Sequence, residues 1–359
     1  MKFTVEPCFE NRKCYFAAAN GYGGFRSYFH EFFRSEDYEH IYVLKGGPGT
    51  GKSRLMKTVG SVLEERGCRV EWIFCSSDPL SLDGIIAEEG GRQIAVLDGT
   101  APHERDAVIP GAIDTLVNLG DGWDAAELAK QRSEILSLAA LKTISYRKAY
   151  EFLSLCDKYD KKIAAEIEKK IKTDEICEAL DKFIRSFSLT YKAPPCRRSV
   201  GAFGRFGKIT LPTFEKRATT VYTFTADAPY REYLSDLFAA RAARAGYFHL
   251  RAPSPFSDNK TDAVFFPEKN IAVLGYRPTS GCETHPVGIP DGLLPETDDT
   301  IRMYTDIKDD LLLRSQTEFS AAADAHAAME KIYTAAMDFE KNNAVADRLV
   351  TECCRILFS

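Results

Sequence analysis

The chain has 359 residues, 45% hydrophobic and 28% charged, with a formal net charge of −5. That length and apolar content suffice for about two cores, and the mild acidity excludes a surface committed wholly to nucleic acid, though not a local basic patch. No run reaches the roughly 18 apolar residues of a membrane helix, and Met1-Lys2-Phe3-Thr4-Val5-Glu6-Pro7 lacks the apolar centre of a signal peptide, so a cytoplasmic protein without membrane association is expected.

The first clear element is the apolar run Ile41-Tyr42-Val43-Leu44, read as a buried strand. Gly46-Gly47-Pro48-Gly49-Thr50-Gly51-Lys52-Ser53 follows it and opens a helical segment at Arg54. The strand, loop and helix match the phosphate-binding P-loop in type and spacing. Glycines let bare backbone N–H groups approach a polyphosphate at the positive end of a helix. Lys52 supplies a mobile positive charge for the terminal phosphates, and the Ser53 hydroxyl suits Mg²⁺, which prefers oxygen ligands.

A second strand, Arg69 to Phe74, ends in Cys75-Ser76-Ser77-Asp78, where a parallel sheet presents its ligand loops. Asp78 either orients a water, metal or acceptor there, or caps a turn. The run Ile94-Ala95-Val96-Leu97-Asp98 is the next strand, and its terminal carboxylate is the candidate partner of Ser53 in holding the metal. Gly99 follows, where many P-loop ATPases carry a glutamate that polarises water. The base must then come from elsewhere, with His103, Glu104 and Asp78 as candidates. A plain loop histidine is the alternative for His103.

The second half repeats the first at an offset of about 180 residues. Gly21 and Gly24 fall opposite Gly201 and Gly204, Tyr42 opposite Tyr222, and Ile94 to Leu97 recurs as Ile271-Ala272-Val273-Leu274. Each half ends in a long stretch free of Gly and Pro, from Trp123 to Ala193 and from Glu296 to Ser359, with apolar residues such as Leu136, Ala139, Ala140 and Ile144 at helical spacing. Helical hairpins are expected there, either bracing the cores or offering a surface to a protein partner. Opposite the P-loop the second half reads Ala226-Asp227-Ala228-Pro229-Tyr230-Arg231-Glu232-Tyr233, and opposite Asp98 it has Gly275. It has lost its phosphate chemistry, and one nucleotide site per chain is expected.

Lys45 to Ser53, then Cys75-Ser76-Ser77-Asp78-Pro79-Leu80-Ser81-Leu82-Asp83-Gly84, then Asp98-Gly99-Thr100-Ala101-Pro102-His103, together resemble a bacterial family of tandem P-loop ATPases over nearly the whole chain. The resemblance implies ATP binding and hydrolysis. It also implies that the second copy, which often keeps a P-loop in that family, has decayed here.

The expected fold is α/β: a duplicated P-loop NTPase core of three αβα layers, with mainly parallel sheets and a helical hairpin after each copy. The expected domains are 1–193, with its hairpin at about 123–193, and 194–359, with its hairpin at about 296–359. ATP and Mg²⁺ are the expected ligands. The residues assigned to nucleotide are Gly46 to Ser53, those assigned to metal Ser53 and Asp98, and those assigned to chemistry Lys52 and Asp98 with His103 or Asp78. A small-molecule kinase with Asp78 or Asp83 as base, and a slow nucleotide-dependent switch, would use the same loop.

Other features carry less. Asn259-Lys260-Thr261-Asp262 spells a guanine-reading tetrad but lies in the decayed half with no apolar strand before it, and is rejected. The stretch from Lys192 to Phe214 carries Arg197, Arg198, Arg205 and Lys208 without an acidic residue; an inter-half linker is the preferred reading over a nucleic-acid surface. Arg198, Arg205 or Arg231 could act on phosphates as an arginine finger. The ten cysteines form no C-x-x-C pair and show no histidine at ligand spacing, so neither a zinc site nor a redox motif is expected, and Cys353-Cys354 read as idle thiols.

Overall fold

A computed structural model describes residues 12–290, 292–296 and 298–359; the opening Met1 to Pro7 lies outside them. The described chain divides into two compact units. An amino-terminal unit holds Arg12–Ala18, Arg26–Lys148 and Thr317–Ser359, and a central unit holds Ala19–Phe25 and Ala149–Gln316.

The amino-terminal unit is built on a six-stranded sheet in the order Lys13–Phe16, Arg69–Phe74, Leu82–Glu89, Arg92–Asp98, His40–Lys45, Asp114–Asn118. Strands His40–Lys45, Arg92–Asp98 and Asp114–Asn118 run parallel, with Leu44 beside Asp98 and Lys45 beside Asn118. Leu82–Glu89 runs antiparallel to both of its neighbours. The sheet is therefore mixed rather than mainly parallel. The reason is local: Gly90 and Gly91 both take positive φ, 58° and 86°, and turn the chain tightly from one strand into the next, leaving no room for a crossover helix.

The central unit repeats this plan. Its sheet runs Cys196–Arg197, Leu250–Ser254, Ser257–Phe266, Ile271–Leu274, Thr220–Thr223, His285–Pro286, with the same parallel and antiparallel neighbours in the same places. Lys192 to Phe214 is not a bare linker: it contributes the edge strand Cys196–Arg197 and a ribbon pairing Gly201–Gly204 with Gly207–Thr210.

Each half of the sequence ends in a 37-residue helix, Arg132–Glu168 or Asp299–Ala335, followed by a shorter one, Thr173–Ser186 or Phe339–Phe358. The compact units do not follow the expected division at 193/194. Helix Thr173–Ser186, from the first half, buries Ile176, Leu180 and Ile184 in the central core with Phe238, Val264 and Phe266. Helix Phe339–Phe358, from the second half, packs in the amino-terminal unit on helix Lys52–Glu65 and on the strands Leu82–Glu89 and Arg92–Asp98. Each core is closed by the last helix of the other half, because an i, i+4 apolar stripe is stabilised by any complementary face that reaches it. Both terminal helices brace cores. No helix among the described residues is long and apolar enough to cross a membrane.

Candidate functional site

Parallel pairing brings Lys45, Asp98 and Asn118 to one edge of the amino-terminal sheet, at the carboxyl ends of three adjacent strands. Open α/β sheets bind ligands at this edge. The loop Gly46 to Gly51 starts there, and Gly51, in the left-handed conformation at φ 84°, caps the helix Lys52–Glu65. Gly49 also needs positive φ, 71°, and a Cβ on it would come within 2.7 Å of Thr334 Oγ1 and 3.0 Å of the Glu330 carbonyl. A Cβ on Gly47 would meet the Trp123 ring at 3.1 Å. The glycines are thus required by backbone shape and by close neighbours together.

Lys52 Nζ donates to the carbonyls of Gly46 and Gly47 at 2.6 and 3.0 Å and lies 3.6 Å from Asp98 Oδ2. Asp98 Oδ1 accepts from the Thr100 amide and hydroxyl at 2.9 and 2.6 Å. One oxygen therefore closes an Asx turn and the other faces the lysine. Burial raises the Asp98 pKa, against the opposing pull of Lys52 and Thr100. Ser53 Oγ accepts from the Leu82 amide at 3.0 Å, which ties the loop helix to the strand Leu82–Glu89.

Lys45 donates to the carbonyls of Gly99 and Arg105 at 2.9 and 2.7 Å and pairs with Asp106 at 2.7 Å, pinning the loop beyond Asp98. The remaining candidates scatter. Asp78 Oδ1 accepts from the Leu80 amide at 3.2 Å and so closes a turn. Glu104 is exposed. His103 is buried, stacked on Phe29 at 4.5 Å, with Nε2 3.0 Å from Asp83 Oδ2. Burial opposes its charging, but Asp83, with Asp98 beyond, outweighs burial and raises its pKa above the ordinary value. Enclosed in this way, His103 is poorly placed to meet a bulk water. Cys75 joins this pair, although neither a C-x-x-C pair nor ligand spacing pointed to a zinc site: Cys75, Asp83 and His103 bring ligand atoms within 4.8 Å of one another. Spacing alone could not reveal it, because the three residues sit on separate segments.

Sequence reasoning also missed four residues in the same unit. Trp123 lies against Gly47 and 5.6 Å from Tyr333. Asn342 donates to the Thr50 carbonyl. Lys142 and Lys52 both lie near His326: burial first, then these two cations, lowers the His326 pKa and favours its neutral form, and burial lowers the pKa of Lys142. All four lie on segments whose pattern signals only packing.

Among the described residues the central unit has no such loop. Asp227 occupies the N-cap position of the helix Ala228–Ala245, and Gly275 leaves no room for a side chain in place of Asp98, since its Cβ would fall 2.5 Å from the Ser235 Cβ. The rejected tetrad lies within the strand Ser257–Phe266, with a strand before it, and its charges are engaged: Lys260 pairs with Asp160 and Asp262 with Lys208, both at 3.0 Å. Arg197 pairs with Asp258 at 3.0 Å, so two cations of the basic stretch are spent internally. Arg198, Arg205 and Arg231 all belong to the central unit. Arg198 and Arg231 donate to the carbonyls of Arg197 and Ala226, and Arg205 lies over the Phe206 ring.

Comparison of the chain with protein-family models, with curated proteins and with solved structures finds no match.

Proposed function

We propose that the amino-terminal unit binds a nucleoside triphosphate, ATP by the family resemblance, with Mg²⁺, and hydrolyses it. The observation that carries this reading is the convergence of Lys52, the glycine loop and Asp98 at one sheet edge, with Lys52 Nζ 3.6 Å from Asp98 Oδ2. On this reading the unit is a P-loop NTPase core, and the central unit, of like topology, is a copy that has lost the loop.

The residues present suit such a ligand. The amide N–H groups of Gly47, Gly49, Thr50 and Gly51 and the start of the helix Lys52–Glu65 favour an anion. Lys52 exchanges its carbonyl contacts for phosphate oxygens and neutralises charge that builds up as the terminal phosphoryl group leaves. Ser53 and Asp98 would hold Mg²⁺, which would supply positive charge to offset that of the phosphates. Ser53 keeps a lone pair for this role, since its contact with the Leu82 amide uses one. Lys142 adds to the positive field that Lys52 supplies near His326.

The test is phosphate release from Mg·ATP, alongside equilibrium binding, for the wild type and Lys52→Ala. Turnover that disappears in the variant is the expected result. Binding without turnover replaces hydrolysis with the switch reading, and absence of binding ends the proposal.

A further inference from the structure

We propose that Cys75, Asp83 and His103 form a binding site for a divalent transition-metal ion of the zinc class, separate from the Mg²⁺ role given to Ser53 and Asp98. The three residues offer a sulfur, a carboxylate oxygen and an imidazole nitrogen, all within 4.8 Å of one another. Three such protein ligands with one open position are a common zinc arrangement, and a cysteine sulfur disfavours Mg²⁺ and Ca²⁺.

Backbone geometry aims Asp83 into the cluster. Ile73 pairs with Gly84 and Phe74 with Leu82, so Asp83 is the extra residue of a β-bulge. Bulges re-aim side chains and are stable features of a fold. Asp83 is buried, and its Oδ2, though 3.0 Å from His103 Nε2, receives no well-aligned hydrogen bond. Phe29, stacked on the His103 ring with an interplanar angle of 10°, fixes the plane in which its nitrogens point.

In the central unit the corresponding carboxylate is paired with an ammonium instead. There Ala252 pairs with Ala263 and Pro253 with Thr261, which makes Asp262 the extra residue of the matching bulge. Asp262 is also buried, but its Oδ1 accepts from Lys208 Nζ at 3.0 Å, while its Oδ2, like that of Asp83, has no well-aligned hydrogen bond. One bulged aspartate thus has an ammonium beside it, and the other has an imidazole and a thiol. A buried carboxylate that stays ionised requires a compensating cation. The amino-terminal unit replaces the built-in lysine with two metal ligands. An ion at this position would tie the segment after Phe74, the strand Leu82–Glu89 and the loop after Asp98 into one clip. That clip would hold the Leu82 amide against Ser53.

The inference stands without the nucleotide reading. Protein stripped by a chelator is titrated with Co²⁺ under anaerobic, reducing conditions and followed by absorbance. The expected result is one equivalent per chain, with a thiolate-to-cobalt charge-transfer band and the strong d–d bands of a four-coordinate ion, displaced by Zn²⁺. Cys75→Ser removes the charge-transfer band, His103→Gln weakens binding by about 10-fold or more, and Lys52→Ala leaves the titration unchanged. Absence of saturable binding overturns the proposal, as does a thiolate band that persists in Cys75→Ser. Where Cys75→Ser does not yield folded protein, His103→Gln decides, and unchanged cobalt affinity in that variant also overturns it.

Discussion

The Asn342 side-chain amide donates to the carbonyl of Thr50 at 3.0 Å across 292 residues of sequence, and also to the Leu119 carbonyl at 3.3 Å. The last helix of the chain thereby fixes the glycine loop from behind, in a place where both partners are buried. Asn342→Leu leaves two carbonyls without this donor, each at a cost of about 1–3 kcal/mol. A lower urea midpoint is expected, together with weaker nucleotide binding. Unchanged stability and affinity would show that the loop holds its shape unaided.

Trp123 provides an optical report on the loop. The chain has two tryptophans; Trp72 is buried and donates to Glu64 at 2.7 Å, away from the loop. In Trp72→Phe, emission therefore comes from Trp123 alone. Mg·ATP is expected to shift its intensity or wavelength, and the further substitution Lys52→Ala to suppress the change. Constant emission under conditions where binding is measured independently would count against ligand binding beside Gly47.

The exchange of terminal helices makes an unusual mutational prediction. Leu180 lies in the first half of the sequence yet is fully buried in the central core. Leu180→Ala should cost about 2–5 kcal/mol, and hydrogen exchange should accelerate in the strands Thr220–Thr223 and Ser257–Phe266 before it does in His40–Lys45. Faster exchange confined to His40–Lys45 would contradict the observed division into units.

Asp236 makes stability depend on pH. Burial is the main cause of its raised pKa, about 7, with Glu232 and Asp262 adding to it and the Thr261 amide and Lys260 opposing. The unfolded carboxyl titrates near ~4, so between these values the folded state binds the proton more tightly and unfolding releases it. Stability from this group is fully present below the unfolded value and is lost as pH rises to about 7, a difference on the order of 4 kcal/mol. Asp236→Asn keeps an acceptor for the Thr261 amide and removes the titration. Urea unfolding at pH 5 and pH 8 should show a shallower pH slope in the variant, and equal slopes would refute this account.

The amino-acid sequence by itself determined the local elements of the candidate site. The apolar run before Gly46, the glycine spacing, Lys52 and Ser53 at the helix start and the carboxylate ending Ile94 to Asp98 were all legible, because each depends on residues close together along the chain. The repeat was legible as well, and the two sheets share one strand order. Tertiary structure alone decided three things. It set the antiparallel course of Leu82–Glu89, since apolar strand patterning does not encode direction. It closed each core with the final helix of the other half, since an amphipathic face specifies that it must be buried but not against which of two similar cores. It also gathered Cys75, Asp83 and His103, which lie on three separate segments and meet only when the sheet forms and a bulge turns Asp83 toward the other two. Periodicity and spacing record what a residue needs from its neighbours along the chain, whereas partners across the fold are selected by packing and by the compensation of buried charge.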